Sequence, residues 1–120
     1  MTLRLFLLIL ASVSLSAVAQ LMLKFGTRLP PGARSPGAEF LALLSSPLVL
    51  AGLATYGLGA MLWLFVLARA PLSLAYPFVG LGFILTMLAG LLILGESASV
   101  PRIAGTCLIA LGCVLVARSA

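Results

Sequence analysis

The chain has 120 residues, 63% of them hydrophobic and 8% charged, with no histidine, a formal net charge of +5 and a mean hydropathy of +1.33. About a quarter of the residues of a water-soluble domain are charged, so this composition excludes a soluble globular protein and indicates one that sits in lipid. The seven basic residues stand singly at the ends of apolar runs rather than in a patch, which argues against nucleic-acid binding.

Four uncharged stretches, 5–23, 40–68, 70–95 and 103–117, lie between successive charges. Each is near the roughly 20 apolar residues that carry a helix across hydrocarbon. A run such as "LVLAGLATYGLGAMLWLFVLA" has none of the alternation of a barrel strand. The predicted fold is therefore an all-α membrane protein, a single domain over residues 1–120 with four transmembrane helices.

The first helix is predicted from about Leu3 to Phe25, with Gly26 as its C-terminal cap. Ala17-Val18-Ala19 is a small-x-small pattern of the kind a signal peptidase cuts, but the apolar run continues through Leu21-Met22-Leu23 and three more spans follow. The segment is expected to stay as a transmembrane helix. Along it Ser12, Ser16, Gln20 and Lys24 recur every four residues, and Arg28 continues the series if the helix extends that far. Four residues turn a helix by about 400°, so Ser12 to Lys24 stay within a stripe about 120° wide. Polar groups in lipid are costly, so the stripe should face protein or a wet cavity. Two roles fit it: hydrogen bonding between helices, or a track for a polar headgroup that ends at the paired cations Lys24 and Arg28, suited to phosphate.

The stretch "TRLPPGARSPGAEFLALLSSP" is the one substantial polar segment. Pro30-Pro31-Gly32 reads as a turn; Ser35 as N-cap, Pro36 at the first helical position and Glu39 in the first turn predict a short interfacial helix between the first two spans.

The second span is predicted from about Pro47 to Ala68. Tyr56 and Trp63, seven residues apart, share one of its faces; Trp63 near the interface reads first as a belt anchor and second as cavity lining. After the turn "RAPLS" the third span covers about Leu72 to Leu94. Pro77 should kink it beside Tyr76, with Gly80 and Gly82 allowing close approach just beyond. A kink beside a polar face is transporter geometry as well as an ordinary feature of membrane helices.

In the connection "GESASVPR", Glu96 and Arg102 are expected to form a positional pair, and Pro101 takes a first-turn position of the fourth span. That span is short, so Arg102 and Arg118 should snorkel outward. Gly105 and Gly112 lie seven apart on one face, a smooth surface suited to dimerisation. Cys107 and Cys113 are about 240° apart on the helix and read as small apolar residues, with no metal site and no cofactor implied. Short connections should make consecutive helices antiparallel neighbours, with both termini on one side. Arg4, Arg69 and Arg118 there against Lys24, Arg28, Arg34 and Arg102 opposite leave the orientation unassigned.

Residues 67–116 resemble the second half of small multidrug resistance proteins in the run of Pro, Ala-Tyr and spaced glycines, in Gly-Glu of the third connection and in Gly-x-x-Leu-Ile-x-x-Gly of the last helix. "AQLMLKFG" resembles the end of their first helix. One departure bears on mechanism: where drug-exporting members carry a proton-exchanging carboxylate in the first helix, alignment on "LKFG" puts Ser16, and the acids present, Glu39 and Glu96, lie in connections. In "ASVSLSAVAQLMLK", with Gln20 and Lys24, in "GLGAMLWLFVLARAPLSLAYP", in "GES" and in "PR" before a glycine-bearing fourth helix, the chain more closely resembles the 4-amino-4-deoxy-L-arabinose-phosphoundecaprenol flippase subunits.

The resemblance implies a multi-pass protein of the bacterial inner membrane, in the drug/metabolite transporter superfamily. It implies transport of an undecaprenyl-phosphate-linked sugar for modification of lipid A or another envelope glycan. It further implies pairing of four-helix chains as a homodimer or heterodimer. The residues expected at the substrate are Ser16, Gln20, Lys24, Arg28, Tyr56, Trp63, Tyr76 and Pro77. Two alternatives stay open: a small-solute or drug exporter with a different coupling group, and a non-transporting structural subunit of an envelope complex. Enzymatic catalysis is not expected, since the sequence offers no nucleophile–base pair.

Overall fold

A computed structural model of the chain describes residues 2–28, 32 and 34–119. Helix α1 spans Leu3–Gly26, α2 Pro36–Ser45, α3 Pro47–Leu67, α4 Leu72–Ala75, α5 Val79–Leu92 and α6 Val100–Arg118, and a 3-10 turn, Tyr76–Phe78, joins α4 to α5. Four segments are long and apolar enough to cross a membrane: α1, α3, the α4–α5 unit and α6. The chain is therefore a four-span, all-helical membrane protein.

Helix starts follow their local chemistry. The Thr2 hydroxyl accepts from the Leu5 N–H at α1, that of Ser35 from Ala38 at α2, and that of Ser99 from Arg102 at α6; prolines occupy the first turns of α2, α3 and α6. The short helix after the polar stretch forms as predicted, with its apolar Phe40 and Leu41 exposed. Pro30 and Pro31 of the predicted turn lie outside the described residues.

The helices lie in the order α3, α1, α5, α6, with α1 packed most extensively on α3 and then on α5, and α6 resting on α5 and the 3-10 turn. The whole is 22 Å in its thinnest direction, about two helix diameters. This corrects the expectation that consecutive spans are all neighbours. Spans two and three touch mainly at their shared turn, where α3 meets α4; beyond it they diverge, and α1 lies between them.

Close approach of α1 and α3 depends on glycine. A Cβ at Gly26 would lie 2.7 Å from Val49 Cγ2 and 2.8 Å from Val49 N, and one at Gly52 would lie 2.9 Å from the Leu23 side chain. Gly26 is thus a packing residue inside the helix rather than the C-terminal cap expected, which is Thr27; the positive-φ glycine among the described residues is Gly95, at +70°. At the other end of α1, Leu5, Ile9 and Val13 form a buried stripe against Val66, Ala75 and Phe78. Helix α6 keeps most of its surface open, with Val100 at 81% and Leu108 at 69% exposure.

Candidate functional site

The divergence of α3 from α5 leaves a half-open groove of about 490 Å³ whose floor is α1. Ser12, Ser16 and Gln20 line it from α1, Tyr56, Gly59 and Trp63 from α3, and Tyr76, Phe83 and Thr86 from the third span. The predicted polar stripe therefore does face a cavity. Its members divide the work. Ser12 is buried and donates its hydroxyl to the Gly59 carbonyl at 2.7 Å, so it ties α1 to α3. Ser16 and Gln20, one and two turns on, face the open space.

Of the residues expected at the substrate, the structure brings Ser16, Gln20, Tyr56, Trp63 and Tyr76 around this groove. Trp63 is half-buried; it lines the groove and packs on the core cluster. Lys24 and Arg28 do not line the groove: Lys24 is exposed on the last turn of α1, and Arg28 lies beyond the end of that helix at Gly26, so it does not continue the stripe; its guanidinium is 4.9 Å from the Phe25 ring centroid. Pro77 does not line the groove; it lines a neighbouring cavity of about 380 Å³ with Gly80 and Cys113, which shares Tyr76, Val79 and Phe83 with the groove.

The Pro77 region shows why the third span breaks. Proline supplies no N–H to the carbonyl four residues earlier, and the chain answers with the 3-10 turn Tyr76–Phe78. The Cys113 thiol contacts the Pro77 carbonyl at 2.9 Å, so α6 braces the break. Bare Gly80 lets α6 approach: a Cβ there would lie 2.8 Å from Ile109 Cγ2 and 2.9 Å from Cys113 Sγ. Tyr76 consequently lines both the groove and the cavity beside α6, while its neighbour Pro77 lines the latter.

Glu96 and Arg102 share a third cavity but form no ion pair; Arg102 instead donates from Nη1 to the Ser97 carbonyl at 2.8 Å. Gly105 and Gly112 lie on open surface, with nothing within 4 Å of a Cβ built on either.

Sequence reasoning missed the glycines of α3. Gly52 and Gly59 lie seven apart, the same spacing noticed in α6, and they rather than Gly105 and Gly112 make the close contacts within the chain. Phe83 and Thr86 were also missed: an isolated threonine in an apolar run carries no signal until the fold turns it toward Gln20's side of the groove.

The groove combines apolar and hydrogen-bonding surface. Its aromatic walls suit a sugar ring or isoprenoid, Ser16 and Gln20 offer hydrogen bonds, and neither of the chain's two acids lines it.

Across known proteins, the chain is 40% identical over 115 residues to a probable 4-amino-4-deoxy-L-arabinose-phosphoundecaprenol flippase subunit ArnF of Erwinia tasmaniensis, covering 89% of each chain. It is 32% identical over 114 residues to a probable flippase subunit ArnE of the same description from Pseudomonas savastanoi pv. phaseolicola, covering 95% of this chain and 97% of that one. A probable ArnE of Pseudomonas aeruginosa is 39% identical over 79 residues, 66% of this chain and 69% of the other. No family model and no solved structure matches the chain.

Proposed function

The chain belongs to the family of 4-amino-4-deoxy-L-arabinose-phosphoundecaprenol flippase subunits, and from that membership and the groove we propose that it is one subunit of a flippase for an undecaprenyl-phosphate-linked amino sugar in the bacterial inner membrane. The observation that carries this reading is the groove itself: a space between diverging spans that combines Ser16 and Gln20 with Tyr56, Trp63 and Tyr76.

In this reading the prenyl tail stays in hydrocarbon and the sugar enters the groove, where Ser16 and Gln20 replace part of its hydration and the aromatic rings pack on its faces. Lys24, at the membrane-surface end of the same stripe, and Arg28, just beyond the end of α1, draw the phosphodiester toward the entrance. The lack of a carboxylate in the groove favours an anionic lipid over a cationic drug. Transport, not bond-making, is the activity proposed.

A chain only 22 Å thick leaves the groove half-open, so a second four-helix chain is needed to close it. The word "subunit" in the relatives' names, and the existence of both ArnE and ArnF among them, support a heterodimer. The exposed Gly105 and Gly112 face of α6 offers a smooth surface for that association.

Native mass spectrometry of the gently extracted full chain, with whatever chain accompanies it, tests the proposal. The expected result is a two-chain particle carrying a prenyl-phosphate lipid. A particle that carries none and fails to bind added undecaprenyl phosphate would overturn the substrate assignment.

A further inference from the structure

Between α5 and α6 lies a cavity of about 330 Å³ that adjoins the groove, for Phe83 and Thr86 line both. It differs from the groove in carrying charges of both signs, Glu96 from the connection and Arg102 from the first turn of α6.

The two charges do not pair, and hydrogen bonds to the main chain place each residue separately. The Glu96 N–H donates to the Gly90 carbonyl at 2.9 Å, and the left-handed Gly95, at φ +70°, turns the chain back to allow it. Gly90 leaves room for the carboxylate above it: a Cβ there would lie 2.5 Å from Glu96 Oε1. Arg102 is anchored twice, its Nη1 on the Ser97 carbonyl at 2.8 Å and its N–H on the Ser99 hydroxyl at 3.3 Å. Opposite charges on one small cavity ordinarily close on each other; these stay apart, which leaves a carboxylate and most of a guanidinium fork available to a guest.

We propose that this cavity reads the zwitterionic headgroup of an amino-sugar phosphodiester, Arg102 binding the phosphate and Glu96 the protonated amine of the sugar. The inference rests on the flippase reading above and adds the residues that select an amine-bearing lipid. A guanidinium suits the phosphate through parallel N–H donors, and a carboxylate accepts from an ammonium and offers nothing comparable to an acylated nitrogen. Thr86 and Phe83 then form the passage through which the headgroup moves between this cavity and the Gln20 end of the groove.

The test is lipid binding to the full chain, in detergent with any co-purifying partner, followed by the fluorescence of Trp63, the single tryptophan of this sequence. Three probes are compared: undecaprenyl phosphate, aminoarabinosyl phosphoundecaprenol and its N-acetylated form. The wild-type chain is expected to prefer the free amine. Glu96→Gln should remove that preference, weakening only the free-amine lipid about tenfold, while Arg102→Gln weakens all three about tenfold and Arg102→Lys restores part of the loss. Both residues are exposed, Glu96 in the connection and Arg102 in the first turn of α6, and native mass spectrometry of each variant checks that it is intact. If Glu96→Gln keeps the full preference, or Arg102→Gln binds as wild type, the subsite is overturned while the groove reading stands. If the intact wild-type chain binds none of the three, the flippase reading falls and this inference with it.

Discussion

The Ser12 hydroxyl donates to the main-chain carbonyl of Gly59 across 2.7 Å, buried between α1 and α3. One turn further, Ser16 lines the same groove without such a bond to α3. Two serines of one helical stripe therefore have different work, and their variants should separate. Ser12→Ala removes an interhelical hydrogen bond and is expected to lower stability by about 0.5–2 kcal/mol, read as thermal unfolding in detergent. Ser16→Ala should leave unfolding almost unchanged and weaken prenyl-phosphate binding instead. Equal stability loss in the two would contradict the division.

The glycines make an opposite pair of sets. Gly26→Ala pushes a methyl onto Val49 N and Cγ2, at 2.8 and 2.7 Å, where backbone must move, and Gly52→Ala meets Leu23 N at 3.2 Å beyond its side chain. Overpacking of this kind costs about 1–3 kcal/mol, so both variants should unfold at lower temperature. Gly105→Ala and Gly112→Ala add a methyl to open space and should unfold no earlier, since alanine is the better helix former by about 1 kcal/mol. Any defect they show should be in the amount of two-chain particle, measured by native mass spectrometry.

The contrast shows where sequence was informative. The four spans, the Ser35–Pro36 start of α2 and the Pro77 break follow from local rules of hydropathy, capping and proline geometry, and each can be read from the letters around it. The period of Ser12, Ser16 and Gln20 placed them on one face, and that face is the floor of the groove. What the face meets depends on which helices become neighbours. The order α3, α1, α5, α6 rests on Gly52 and Gly59 admitting α1 and on Gly80 admitting α6, contacts between residues far apart in sequence. For the same reason Glu96 and Arg102 look like a pair in the sequence but face a common cavity without pairing.

Pro77→Ala returns an N–H to the position that broke the helix. The 3-10 turn Tyr76–Phe78 should relax toward α-helix, rotating Tyr76 away from the groove and weakening the Cys113–Pro77 contact of 2.9 Å. Removing a proline from a helix interior relieves up to about 3 kcal/mol of local penalty, so unfolding should not occur earlier. Lipid translocation in reconstituted vesicles should nevertheless fall, because a groove wall has moved. Unchanged translocation with a restored regular helix would show that the break serves packing alone.

Gln20 and Lys24, one turn apart on α1, act on the lipid by different physics. Gln20 lines the groove, while Lys24 stands exposed past its end. Gln20→Leu removes hydrogen bonds made in a partly desolvated space, and binding of undecaprenyl-linked amino sugar should weaken about tenfold, equivalent to about 1.4 kcal/mol, with little dependence on salt. Lys24→Gln removes a charge at the membrane surface that contributes about 1 kcal/mol toward an anionic group. Its loss should be about fivefold at low ionic strength and should shrink as added salt shortens the screening length to about 8 Å at 0.15 M. Titrations of both variants at two salt concentrations therefore distinguish a residue that holds the headgroup from one that draws it in. A salt-sensitive Gln20→Leu, or a Lys24→Gln whose defect persists unchanged at high salt, would reverse the two roles and move the phosphate site to the Lys24 end of the stripe.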